Sequence, residues 1–243
     1  MLSDEEIRRV YQDAYLPEHL PDYVEAISGA QTHLHGNYLC FIRKKHLIFN
    51  GYPLGASAGD VADAYKTACE RFQPATIAIL APKIWLPRER YALQSADDYY
   101  RLVLPLASLD SQVAYMVRRG ERELKAGFGS FDKQHKRLIN DFIKSHDLNE
   151  AQIHIYNHIA RYLQLSATAR IIEARKDGRL VAFSIVDLGS SEYAFYLFTF
   201  RAEKPNIPGA SDLLFKEMVN LAHAEGKKAI NLGLGIHAGI RRF

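Results

Sequence analysis

In ARIIEARKDGRLVAFSIVDLGSSEYAFYLFTF (169–200), three runs rich in aromatic and β-branched residues are parted by two short turns. The alternation within ARIIEARK (169–176), RLVAFSIVDL (179–188) and EYAFYLFTF (192–200) reads as strands. Asp177-Gly178 between the first two is a strong hairpin signal, because both central positions of such a turn need positive φ. Gly189-Ser190-Ser191 makes the second turn, so the stretch predicts an antiparallel meander. Downstream, the irregular RAEKPNIPGAS (201–211) leads into a helix expected over 211–225, with Leu214, Met218, Leu221 and Ala222 on its buried face. Gly226 ends it, and AINLGLG (229–235) reads as a further strand.

Upstream, Asp132–Ser145 and Asn149–Gln164 carry helical periodicity, and Gly127-Phe128-Gly129-Ser130 reads as a break after a helix over 108–125 capped by Ser108. The order from residue 131 is therefore helix, helix, three strands, helix, strand. Nearer the N-terminus, YLCFIR (38–43) and HLIFNGY (46–52) form a strand pair turning at Lys44-Lys45. A helix with Val61, Ala64, Tyr65 and Ala68 on one face follows, then TIAILAP (76–82) and YYRLVLPL (99–106) as strands. Gly55-Ala56-Ser57, helix, TIAILAP echoes Gly209-Ala210-Ser211, helix, AINLGLG, which raises a repeat of one α/β unit. The division suggested is an N-terminal half over 1–126 and a second domain over 127–243.

Composition narrows the class. The chain has 243 residues, 48% hydrophobic and 24% charged, enough to bury a core and too apolar to be disordered. No apolar run approaches the roughly 20 residues of a membrane span. The polar MLSDEEIRRVYQD start lacks the apolar core of a secretory signal, and Cys40 and Cys69 are too few for a disulfide framework. A cytoplasmic protein with two reduced thiols is the expectation. The first 125 residues carry 15 basic and 16 acidic side chains and the rest 16 and 12, so the second part is the better host for a phosphate-bearing ligand.

PNIPGASDLLF (205–215) is where chemistry is expected. A helix start leaves amides unpaired at the positive end of its dipole, and such an end binds phosphate. Gly209 and Ala210 leave the approach clear, and Ser211 either caps the helix or donates to a phosphate oxygen. Gly233 and Gly235 weaken the last strand unless something approaches its backbone closely. Strands splayed on either side of this helix start would make a slot for a thin, phosphate-tipped ligand such as pantetheine. Glu192 and Tyr196 lie on the strand beside that slot and Asp187 ends its neighbour, which makes them candidates for proton transfer. His154 and His158 have metal-ligand spacing, but no third ligand is evident. Arg118, Arg119, Arg122 and Lys125 could face RNA, though Glu121 and Glu123 interrupt them.

The element order from residue 131 resembles the GNAT superfamily of N-acyltransferases. It is most similar to the tandem branch, the Fem-type aminoacyltransferases and the C-terminal domain of phosphatidylglycerol lysyltransferases, whose two units per chain would explain the internal echo. The basic helix YMVRRGERELKAG (115–127) resembles one found in that branch. The resemblance implies an α/β fold with a mixed, GNAT-like sheet. It also implies transfer of an acyl group from acyl-CoA to a small-molecule or peptide amine. Glu192 and Tyr196 would be catalytic, and Phe200, Ile207, Gly209, Ala210, Ser211 and Asn231 would hold the donor. An aminoacyl-tRNA donor, with tRNA as partner, and a catalytically silent binding module are the alternatives. Two departures bear on this. The superfamily loop has an Arg or Gln before a glycine-rich turn, where this chain keeps only Gly209-Ala210. The superfamily would also continue past IHAGIRRF (236–243) into a closing strand pair, which is expected either to be absent or to lie beyond this sequence.

Overall fold

The expected meander forms as β7 (Ala169–Lys176), β8 (Arg179–Asp187) and β9 (Tyr193–Arg201) in a computed structural model that describes residues 2–55, 59–92 and 94–234. Asp177 and Gly178 take φ of 49° and 80°, the paired positive values a tight hairpin requires. Helix α8 (Ala210–Ala224) then carries the chain over one face of the sheet to β10 (Ala229–Leu234), which runs parallel to β9. The sheet is completed by β5 (Tyr99–Val103) beside β10 and β6 (Lys125–Gly129) beside β7, giving the mixed order β5-β10-β9-β8-β7-β6.

Several expectations are corrected here. Helix α4 (Ser111–Glu121) is capped by Asp110 rather than Ser108, because the Asp110 carboxylate accepts from the Gln112 and Val113 amides. The glycine-broken segment 127–129 is part of a strand. Pairing with the free edge of β7 overrides the weak local preference of Lys-Ala-Gly-Phe-Gly, and Gly129 is required because a Cβ there would lie 1.9 Å from Glu173 Oε1. The helix expected over 149–164 is two, α6 (Glu150–Asn157) and α7 (Ile159–Leu165), parted where the His158 ring bonds back to the His154 carbonyl. The change of sheet falls between Leu80 and Tyr99: β5 precedes the suggested 126/127 division yet pairs in the second sheet, and α4 packs on that sheet.

The first sheet contains β1 (Gln31–His35), β2 (Tyr38–Arg43), β3 (His46–Asn50) and β4 (Thr76–Leu80), with α3 (Val61–Phe72) between the last two. Its order is β1-β2-β3-β4, two antiparallel pairs and then a parallel one. The same succession runs through β7, β8, β9, α8 and β10, so the echo extends to topology; Ala56 and Ser57 of the echo lie outside the described residues. Unread in the sequence were β1 and two N-terminal helices, α1 (Asp4–Asp13) and α2 (Pro21–Ser28).

The second sheet is covered on both faces. Val113 and Val117 of α4 pack with Leu214 and Met218 of α8 over Ile172, Ala182 and Ile230. On the other face, Ala26 of α2, Leu138 and Ile139 of α5 (Lys133–Ser145) and Tyr162 of α7 cover Ile171, Phe183 and Ile185. Adjacent residues such as Ile171 and Ile172 thus enter opposite cores, as strand geometry demands. Among the described residues, no helix is long and apolar enough to cross a membrane.

Candidate functional site: a cavity at a splayed strand pair

Strands β9 and β10 pair only from Tyr193–Ala229 to Phe195–Asn231 and then separate. Two local features drive them apart. The register of β9 against β8 slips between Tyr196 and Phe198, a bulge that bends the strand. On β10, Gly233 takes φ of +79°, and its amide donates to Asn231 Oδ1 at 2.8 Å, so the strand kinks back toward β5, where Leu234 pairs with Tyr99. In the first sheet the equivalent pair, β3 and β4, stays in register along all of β4, and no slot forms.

The gap opens onto a cavity of about 600 Å³. Its wall is Tyr196 to Phe200 of β9, Leu232 to Leu234 of β10 and Phe215 of α8, with aromatic rings from Tyr23, Phe142 and Tyr156 on the far side. Glu18 and Tyr99 supply polar groups. The Tyr99 hydroxyl donates to Glu18 Oε2 at 2.9 Å, and burial in this apolar wall pushes the Glu18 carboxyl above its ordinary range.

Glu18 reaches the cavity because residues 11–19 form a strap stitched to both sheets. Ser190 Oγ and Ser191 Oγ donate to the carbonyls of Ala14 and Gln12, each at 2.6 Å. Asn231 Nδ2 donates to the Tyr15 carbonyl (2.9 Å) and Asn50 Nδ2 to the Glu18 carbonyl (3.2 Å). His19 is fully buried; its Nε2 donates to the Tyr52 carbonyl and its Nδ1 accepts the Tyr15 amide, and burial draws its pKa down to about 4. The strap runs from the last turn of α1 through a short 3-10 turn at Pro17–His19, and side-chain ties at both ends let it present a group rigidly.

The sequence-predicted residues are only partly brought together. Tyr196 and Phe200 lie on the cavity wall. The Tyr196 hydroxyl accepts from Thr199 Oγ1, which is itself 2.8 Å from Ser184 Oγ, and burial raises the phenol's pKa, so it is held protonated as a donor rather than a base. Asn231 shapes the splay but spends both amide ends on the main chain. Ile207 and Ala210 are buried in the core, and Gly209 (φ +86°) is pressed against the Met116 carbonyl and Gly120 of α4, so these three do not line the cavity. Ser211 is half-exposed in the first turn of α8, which no side chain caps, and Asp212 beside it already sets a carboxylate at the positive helix end.

Glu192 sits at the closed end of the β9–β10 pair, bound to Lys228, four residues of strand away from Tyr196. Asp187 is 1% exposed and accepts from Tyr162 (2.5 Å), Ser166 (3.0 Å), Thr168 and the Gly189 amide, a filled structural hub. His154 Nε2 donates to the Ile27 carbonyl, tying α6 to α2. Gly235 and residues 236–243 lie outside the described residues. Glu18 and Tyr99 were missed because their meeting joins positions far apart in the chain; the one local sign is LPEHLP (16–21), a proline-flanked acid with no periodicity.

Together the doubled unit, the mixed sheet and the splayed parallel pair define a GNAT-like fold of the tandem, Fem and lysylphosphatidylglycerol synthetase type. Among solved structures, FemX is similar over 100% of this chain and 92% of its own, with a TM-score of 0.67 at 9% identity. The C-terminal domain of an Agrobacterium fabrum protein described as a lysylphosphatidylglycerol synthetase matches over 96% of this chain and 79% of its own, with a TM-score of 0.63 at 16% identity. L-PGS from Bacillus licheniformis matches over 98% and 82%, with a TM-score of 0.59 at 15% identity. At such identities the likeness is one of fold. No protein-family model and no curated protein sequence matches the chain.

Proposed function

We propose that the protein transfers an acyl group to an amine, with the reacting carbonyl held where β9 and β10 part. The observation that carries this reading is the splay itself, which opens on an apolar cavity in the second unit and is absent from the first. Exposed β9 backbone at the gap could steady a carbonyl oxygen, and the protonated Tyr196 phenol could donate to a departing group. Acyl-CoA is the proposed donor, its phosphates at the uncapped first turn of α8 around Ser211.

An aminoacyl-tRNA donor is the second reading. It is favoured by Arg118, Arg119, Arg122 and Lys125, all exposed near the end of α4 with Tyr115 beside them, and by the likeness to FemX and L-PGS. Thermal unfolding with and without each donor tests both. Acetyl-CoA is expected to raise the Tm saturably in the wild type and not in Ser211→Asp, because a ligand that binds only the folded state stabilises by mass action. A shift with charged tRNA alone, lost in Arg118→Glu/Arg119→Glu, selects the second donor. Response to neither, together with no transfer to amines, overturns the acyl-transfer reading.

A further inference from the structure

Among the described residues, the cavity contains a carboxyl group with no counter-charge. Glu18 Oε2 accepts the Tyr99 hydroxyl and the carboxyl also takes a hydrogen bond from its own backbone amide, but among the described residues no Lys or Arg pairs with the group. Among the described residues, the other ionisable lining groups are tyrosines and His146. An ionised carboxylate left alone in such a wall is costly, so the site calls for a proton or for a cation. The walls favour the cation: Tyr23, Tyr99, Tyr156 and Phe142 present ring surface, which attracts ammonium groups and gives nothing to anions. The main chain that carries this carboxyl is fixed, since the Glu18 carbonyl is bonded to Asn50 and nearby His19 and Tyr15 are tied to Tyr52 and Asn231, and the Tyr99 hydroxyl holds the carboxyl itself.

We infer that Glu18 is the amine-recognition residue of this cavity, pairing a primary ammonium group with its carboxylate beside the tyrosine rings. The inference rests on the acyl-transfer reading only for what the amine belongs to. It is the acceptor in one case and the amino group of an aminoacyl donor in the other, and both present the same chemistry to Glu18.

Calorimetric titration of the whole chain, with no acyl donor present, tests it. The probes are n-butylamine for an acceptor amine, alanine amide for an aminoacyl group, and butan-1-ol and butyrate as neutral and anionic controls. One amine is expected to bind saturably, at least tenfold tighter than either control. Glu18→Gln should weaken that binding at least tenfold, and Tyr99→Phe, which keeps the carboxylate, should weaken it less. Tighter binding of alanine amide assigns the site to the donor, and tighter binding of n-butylamine to the acceptor. Butan-1-ol binding as well as the amines, or no saturable amine binding, overturns the inference from the wild type alone, whether or not a variant folds. Unchanged amine binding in a folded Glu18→Gln does the same. Amine binding that survives while no donor supports transfer would sink the acyl-transfer reading and leave Glu18 as an amine site.

Discussion

Gly209 illustrates how one residue can be read correctly as special and for the wrong reason. Its φ of +86° does require glycine, but the space beside it belongs to α4, since a Cβ would fall 2.1 Å from the Met116 carbonyl oxygen. Gly209→Ala is therefore expected to destabilise the fold by about 2–4 kcal/mol, through strain plus a backbone clash. Urea unfolding midpoints measure this; a loss under about 0.5 kcal/mol would show that the helices can part. Ser211, two residues on, caps nothing and is the position through which donor binding can be probed without that penalty. Glu18 is the opposite case: an unremarked acid in the sequence whose surroundings, not its neighbours in the chain, give it meaning.

At the level of elements, the decisive contrast is between two parallel pairs of the same topology. The β3–β4 pair closes fully and β9–β10 opens after three residues, and Asn231 is the side chain that joins the kink at Gly233 to the strap at Tyr15. Replacing it leaves the Gly233 amide and the Tyr15 carbonyl without partners, so Asn231→Ala should cost about 2–3 kcal/mol. It should also weaken amine binding several-fold, because the strap that carries Glu18 loses its tie to β10. Full stability with unchanged binding would show that the kink holds itself. The meander, α8 and β10 were legible because period-two runs, Asp177-Gly178 and a 3–4 stripe are local signals. The β6 strand was not: Lys-Ala-Gly-Phe-Gly has no strand preference of its own and pairs because β7 offers an open edge.

Across the whole molecule, the N-terminal strap and α2 bind the two sheets into one body, with Ala26 in the core of the second sheet and Ala14 and Leu20 packed on Phe195. A chain limited to 127–243 lacks α2, β5 and α4, which exposes both faces of the sheet. It is expected to give no dispersed amide spectrum; a cooperative melt from that fragment would contradict this. Acid should loosen the same body. His19 binds a proton below about pH 6.5 when unfolded but only below about 4 when folded, so unfolded chains take up more protons between those values. Stability is then complete above 6.5 and falls by up to about 3 kcal/mol as pH drops toward 4. His33 and His35, also lowered by burial, add in the same sense. Glu18 and Asp22, raised by burial, act in the opposite sense. The slope is therefore read as the difference in unfolding free energy between the wild type and a folded His19→Gln from pH 7.5 to 4, and a difference that does not change with pH would refute it. The sequence alone determined the α/β plan of the meander, α8 and β10 and raised a repeat, since periodicity, turn chemistry and helix punctuation act between near neighbours. Only the tertiary structure decided where the cavity lies and that Glu18 faces it, since that depends on a strap, a strand kink and a distant tyrosine meeting in space.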